Sequence, residues 1–534
     1  MTQVAPSLRI DIPDLEPSVR RRVWSSPLVY VLALAAYPVV FLWAANVQES
    51  IQVRAVVTAL VVVLTGTMAI WLVARILIGD PHRASFATVA VAVPFLVFGR
   101  LTGEADAVDQ GSDHLSLFVG ALILMSVGVV IGVKARWVPR VARIANPIAC
   151  VLLTLNIVPI LTSLRAVDAS AAAAGFEDPV VLPARPPASR PDVYYLILDR
   201  YANERVLREQ YGFDDGPFLD ELRSRGFTVL DDIVSNYPRT IPSLASSLNM
   251  GYLDRLAEVE GPDSDDWGPI MALIEGSRVS TTFQRLGYRS INIASWWDVT
   301  ANDPGADENV SFFGDEFQYV FWQTTMLPTL ARYTPIADPN GFLGDVWEAT
   351  PKQFDAVARI AENPEPTFTF GHFLVPHPPY VFRADGQRSF QLPQLSTDEA
   401  YIEQVRYANA RILELLDRLL IGSSPGDQPI IVVQADEGPF PQGLNLEGEH
   451  YDFYEASQPD LERKQGILSA LYLPGHEDAI PEFMTPVNTF RLILSRYFGA
   501  ELPLLPDRAY VYRDHAHPYE LYDVTARLRD GMEP

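Results

Sequence analysis

Thiols are nearly absent from this chain. Cys150 is the single cysteine, and it sits in an apolar run, so no disulfide framework staples the fold. Positive charge is scarce beyond the first third. Residues 1–163 carry 12 Lys and Arg against 9 Asp and Glu, which leaves 29 against 57 for the remainder, a net of −28. Such a deficit argues against nucleic acid as a partner, because a phosphate backbone needs cations opposite it. Phosphate and sulfate esters stay open, since a bound divalent cation reverses the local field. Charge of either sign is almost missing from five stretches, at roughly 27–47, 55–78, 86–101, 115–133 and 145–163. Each comes near the ~20 residues that cross a bilayer, the third being the shortest. Five in succession exclude a soluble bundle, which would have no wet face. No small-residue cleavage pattern follows the first, which argues against a cleaved signal peptide.

What is present divides the chain into four parts: a tail (1–26), five spans (27–163), an Ala- and Pro-rich tether (164–190) and an ectodomain (191–534). Arg20, Arg21 and Arg22 precede the first span, Arg83 lies in the second loop, and Lys134, Arg136, Arg140 and Arg143 crowd the fourth. The third loop carries Glu104, Asp106, Asp109 and Asp113 instead. Positive charge marks the cytoplasmic side, so the tail is expected inside and everything after about 163 outside, on a multi-pass plasma-membrane protein. Arg54 and Arg100 stand at span ends, where a long side chain snorkels to the interface.

The ectodomain alternates short β-rich runs with helical periodicity, which predicts a mostly parallel sheet covered by helices on both faces. Strands are expected in VYYLILD (193–199), FTVLDDIVSNY (227–237), SINIA (290–294), EPTFTFGHFLV (365–375), PIIVVQAD (429–436) and GILSALYLPG (466–475). A long amphipathic helix is expected over 397–420 with Thr397 as its N-cap, and 297–350 reads as an irregular, substrate-shaping excursion. Two apolar strands end in acids, Asp199 in the first and Asp436 with Glu437 in the later one. Open α/β sheets build their sites at those carboxyl ends. A hydroxyl on the turn-to-helix segment TIPSL (240–244) would share that edge, and the set predicts an enzyme with a metal-and-hydroxyl site.

The order of these segments resembles the sulfatase-like branch of the alkaline phosphatase superfamily, and above all membrane-anchored lipoteichoic acid synthases and phosphoethanolamine transferases. The resemblance spans about 190–525. It rests on Asp199, the loop Tyr237 to Ser243, the segment His377 to Tyr380, the strand end Ala435 to Gly438, and the stretches 486–503 and 519–525. It implies Asp199, Thr240, Asp436 and Glu437 as metal ligands, Thr240 as nucleophile, and His377 as the group protonating the leaving alkoxide. Arg239, Ser243 and His450 are implied more loosely in substrate binding, Ser243 also as the alternative hydroxyl. TIPSL matches the sulfatase signature Cys/Ser-x-Pro-Ser-Arg at three of five places, and Thr240 and Leu244 depart where formylglycine chemistry needs Cys or Ser and Arg. Glu437 stands where the family places His or Asn. The all-oxygen set suits Mn²⁺, Mg²⁺ or Ca²⁺ better than Zn²⁺. His372 is expected to be a packed strand residue, and His515 and His517 structural.

The function these observations imply is transfer of a phosphoryl group, of phosphoglycerol or phosphoethanolamine type, from a membrane lipid to a lipid-linked or envelope-glycan acceptor. Hydrolysis of a phosphoric or sulfuric ester, with water as acceptor, is the first alternative. An inactive envelope-scaffolding module, suggested by Glu437 and the missing Arg, is the second.

Overall fold

The computed structural model describes residues 25–47, 51–102, 113–173, 176, 179–184, 189–333, 341–421, 428–441 and 451–530. The triplet Arg20–Arg22, the acids Glu104, Asp106 and Asp109, and His450 lie outside them. The described residues form two compact units: one holds 25–47, 52–161 and 317–333, and the other holds the rest.

The first unit begins with five apolar helices, α1 (Val29–Ala45), α2 (Val53–Ile78), α3 (Pro81–Thr102), α4 (Asp113–Lys134) and α5 (Ala142–Ala173). The last four are long and apolar enough to cross a membrane, while α1 has 17 residues. The short span is therefore the first and not the third, because the helical run of α3 starts at Pro81, a residue suited to a helix N-terminus. Asn146 of α5 ties these helices together. Its Oδ1 accepts from the Tyr30 N–H at 2.9 Å, and its amide donates to the Ser26 carbonyl at 3.0 Å. The first turn of α1 thus has one of its orphan donors satisfied by another helix.

The second unit centres on a seven-stranded sheet with the order β2-β7-β6-β1-β5-β3-β4. Its strands are β1 (Val193–Leu198), β2 (Thr228–Val229), β3 (Arg289–Ile293), β4 (Glu308–Val310), β5 (Thr367–Phe373), β6 (Ile430–Gln434) and β7 (Ser469–Tyr472). β6, β1, β5, β3 and β4 run parallel, β7 is reversed against β6, and β2, antiparallel to β7, points with the rest. All six residues of β1 are buried, as a continuous apolar strand in the middle of a parallel sheet must be. One face packs through stacked Phe283 and Phe368 (centroids 4.7 Å) and through Tyr195 edge-on to Phe490 (4.9 Å). β8 (Tyr510–Tyr512) and β9 (Leu521–Asp523) pair as a separate ribbon.

Three local expectations change. The long helix is Thr397–Leu420, but its N-cap is Ser396, whose hydroxyl accepts from Glu399 N–H while Glu399 reaches back in a capping box. The excursion 297–350 is built of elements: helix Asp298–Ala301, β4, helices Glu316–Gln323 and Leu327–Tyr333, and the start of helix Gly341–Ile360. Its aromatic residues make this so, with Phe317 and Phe321 buried one turn apart on one face. The stretch drawn as a tether is partly structured: α5 continues to Ala173, and Val180 is buried in the ectodomain core, its carbonyl accepting from Arg285 at 3.0 Å.

One buried acid gives a stability test. Asp215 accepts from the Tyr201 hydroxyl and the Asn409 amide, each at 2.8 Å. Burial nevertheless pushes its carboxyl up from 3.8 to about 6. A folded-state pKa above the unfolded one is a contribution fully present below 3.8 and lost as pH rises through about 6. Asp215→Asn should therefore stabilise the protein at pH 8 by about 1–3 kcal/mol and change little at pH 4. Apparent melting temperatures at the two pH values check this, and a variant that melts lower than the parent at pH 8 would contradict it.

Candidate metal centre

Strands β5, β1 and β6 lie side by side, with Ile197 opposite His372 on one side and Gln434 on the other. β5 and β6 reach β1 from opposite flanks, so the chains leaving these strands part at the carboxyl end of β1, where open α/β sheets build their sites. Asp199 follows β1 there, its N–H donating to the Phe373 carbonyl at 2.9 Å. Asp436 follows β6. His372, the penultimate residue of β5, completes a buried group with Asp199 and Asp436 whose ligating atoms all lie within 4.8 Å of one another.

From sequence His372 is expected to pack and Glu437 to ligate. The structure places His372 beside Asp199 and Asp436, and Glu437 among cations. His372 Nε2 stands 3.5 Å from Asp199 Oδ2, and its Nδ1 meets the Thr300 hydroxyl at 2.8 Å, which orients the ring. Glu437 Oε1 is held by Lys464 Nζ at 2.8 Å and Arg200 Nε at 2.9 Å. Gly438 makes that pairing feasible, because a Cβ there would collide with the Arg463 carbonyl oxygen. The close approach lets Lys464, at the end of helix Gln458–Gln465, reach both Glu437 and the Gly438 carbonyl (3.0 Å). Arg200 takes a left-handed backbone (φ 64°), which costs a non-glycine residue roughly 1–2 kcal/mol. Its carbonyl is fixed by the Tyr401 hydroxyl at 2.9 Å.

Thr240 is the first residue of the helix Thr240–Asn249 and is nearly buried. Its hydroxyl stands near enough to Asp436 to favour the ionised carboxylate. Ser243, one turn on, donates to the main-chain oxygen of Asp436 at 2.6 Å, so its hydroxyl secures the strand exit. Arg239 lies over the rings of Phe440 (5.6 Å) and Phe453 (5.9 Å). His377 is half-buried, edge-on to Trp296 at 5.8 Å, with Nδ1 on the Pro378 carbonyl.

Electrostatics set these groups apart. Burial, then the charge of Asp199, pushes the Asp436 carboxyl well up. For Asp199, burial is outweighed by His377, His372 and Arg200, and its carboxyl is held below the usual range. Burial lowers His372, but the adjacent Asp199 and the surrounding carboxylates outweigh it and raise the ring. His377 falls to about 3 through burial and the Arg200 charge. Asp199 Oδ1, both Asp436 oxygens and His372 Nε2 are buried without a hydrogen-bond partner. Two buried carboxylates with bare oxygens facing an imidazole nitrogen form a donor set that fits a divalent cation.

A strand-face rule could have found His372. Alternation in TFTFGHF puts Phe368, Phe370 and His372 on one face, and His372 is the member nearest the carboxyl edge. Nothing in the sequence pairs Glu437 with Lys464, 27 residues later and on another element.

No protein-family model matches the chain, and no curated protein does. Several solved structures are similar in fold. The C-terminal periplasmic domain of EptC from Escherichia coli, in complex with zinc, aligns at 13% identity and a TM-score of 0.43, over 65% of this chain and 96% of that one. The lipoteichoic acid synthase LtaP from Listeria monocytogenes aligns at 14% and 0.37, over 66% and 85%. The integral-membrane lipooligosaccharide phosphoethanolamine transferase A from Neisseria meningitidis aligns at 12% and 0.35, over 94% and 95%. The residues of the site itself carry the functional reading.

Proposed function

We propose that this protein is a membrane-anchored, metal-dependent phosphoryl-group transferase whose nucleophile is Thr240. The carrying observation is the placement of a helix-opening hydroxyl beside Asp436, within the buried group that also holds Asp199 and His372. Asp199, His372 and Asp436 would hold a divalent cation, with Thr240 at its edge. Such an ion neutralises phosphoryl oxygens and lowers a hydroxyl pKa. With an imidazole in the set, the preference for Mn²⁺, Mg²⁺ or Ca²⁺ over Zn²⁺ loses its ground, since mixed N and O donors also suit Zn²⁺.

Thr240 Oγ, its proton released to solvent, would attack phosphorus; the ester bond would break, the leaving alkoxide would take a proton from water, and the phosphoryl group would remain esterified to Thr240. N–H groups at the start of its helix stabilise the anionic group during transfer. His377 suits an acceptor role better than the proton-donor role implied from sequence. Burial and the Arg200 charge depress its pKa to about 3, so it is neutral near pH 7, and with Nδ1 engaged with a carbonyl its Nε2 would accept a hydrogen bond that orients the incoming hydroxyl. Ser243 would position the Asp436 loop, and the cations Arg200, Arg239 and Lys464 around Phe440 give the cleft a field that favours a phosphate ester. A lipid donor, of phosphoglycerol or phosphoethanolamine type, accounts for the membrane anchor.

The test is an intact mass of the full-length protein after incubation with extracted membrane lipids and Mn²⁺ or Zn²⁺. An adduct on Thr240 is expected, and its mass names the group. Labelling elsewhere, or none with either metal, would remove the proposal. Five crossings with the tail inside also place the ectodomain outside the cytoplasm. A periplasm-active reporter fused after Ala184 should be active, and one fused after Asp80 inactive. The reverse pattern would show that α1 does not span.

A further inference from the structure

Helices Glu316–Gln323 and Leu327–Tyr333 belong by chain order to the ectodomain, lying between β4 and helix Gly341–Ile360, yet 317–333 fold with the membrane helices. The attachment is keyed through backbone. Gly99 N donates to the Thr324 carbonyl at 2.8 Å, and the Phe95 carbonyl accepts from Met326 N at 2.9 Å. A Cβ at Gly99 would collide with the Gln323 carbonyl oxygen, so glycine is required for this approach. Met326 is buried with Phe98 and Met125. Non-helical backbone survives at membrane depth only when its polar groups are satisfied in this way.

Between this arm and the spans lies a groove of about 340 Å³, walled by Val63, Gly66 and Ile70 of α2, Ala92 of α3, and Trp322 and Leu327 of the arm. Its walls are apolar, so water gains little there. α2 is long and apolar enough to cross a membrane, and it exposes Val62 and Ile70 beside the groove, so the molecules in contact with it are lipid chains. We propose that this groove holds one acyl chain of a membrane phospholipid, and that the arm is how the ectodomain engages the lipid it works on. The second clause rests on the function proposed above.

Full-length protein in vesicles of phosphatidylglycerol and phosphatidylethanolamine, doped with diazirine-acyl phosphatidylethanolamine, tests this by photolabelling. Label should concentrate on the peptides bearing 62–70 and 91–96, above that on the equally exposed Leu122, Ile123 and Leu124 of α4. A Cβ at Gly66 meets nothing within 4 Å, so Gly66→Leu has room to project into the groove. Groove label should then fall roughly tenfold. Gly120→Leu, equally open and on α4, should leave both label and lipid turnover unchanged. Gly66→Leu should also raise KM for the lipid. Label spread evenly over α2 and α4, or equal label in the two variants, overturns the acyl site. Concentrated label with no effect of Gly66→Leu on KM would overturn the link to the substrate, and concentrated label without any lipid turnover would sink the proposed function while the acyl site stands.

Discussion

Thr240→Ala is expected to lower turnover of a phosphate-ester donor by at least about 10⁴-fold, the scale seen when a nucleophile that works with a fixed activating group is removed. Thr240 is the hydroxyl that neighbours Asp436 by its side chain, and as the proposed nucleophile it would have the N–H groups of the helix it opens directed at the attacked anion. Ser243→Ala should cost far less, about 10-fold. It deletes a 2.6 Å hydrogen bond to the Asp436 carbonyl and shifts the loop without touching the reacting atoms. The two variants must keep the parent's circular dichroism and metal content, so that the difference reads chemistry. An active Thr240→Ala protein, or a covalent adduct mapped to Ser243, would exchange their roles.

Asp436→Asn is expected to weaken metal binding by at least about 100-fold, since even residues that merely orient ligands are worth 10–100-fold. The same change has the opposite effect on the metal-free protein. Asp436 and Asp199 are buried together, and the burial cost and repulsion that raise Asp436 are relieved by a neutral amide. With chelator present Asp436→Asn should therefore melt higher than the parent, and with saturating metal lower. Glu437→Gln behaves differently if Glu437 is a structural partner and not a ligand. Metal stoichiometry should be kept, while stability falls by about 3 kcal/mol because the fully buried Lys464 loses its counter-charge. Calorimetric titration and melting curves of the three proteins separate these cases. Loss of metal in Glu437→Gln would return that residue to the ligand set.

Much of this protein was legible in one dimension. Membrane runs need only uncharged length, and parallel central strands need only uninterrupted burial, so α2 to α5, β1, β5 and β6 stand out as composition. Asp199 and Asp436 follow from the same signal, because an acid at the end of a buried strand has one edge to occupy. Thr240 was legible as a helix-opening hydroxyl. What only the tertiary structure decided are pairings between elements distant in sequence. Neighbouring strands bring His372 to Asp199, while Gly438 lets the end of another helix approach and draws Glu437 to Lys464 and Arg200. The arm at 317–333 is the extreme case. Its aromatic residues read equally well as loop or core, and backbone hydrogen bonds to Phe95 and Gly99, with Met326 packed on Phe98 and Met125, assign it to the membrane helices. Periodicity along a chain reports burial, which is a property of one element. Partner choice depends on register and close approach between two elements, and neither is written in either one alone.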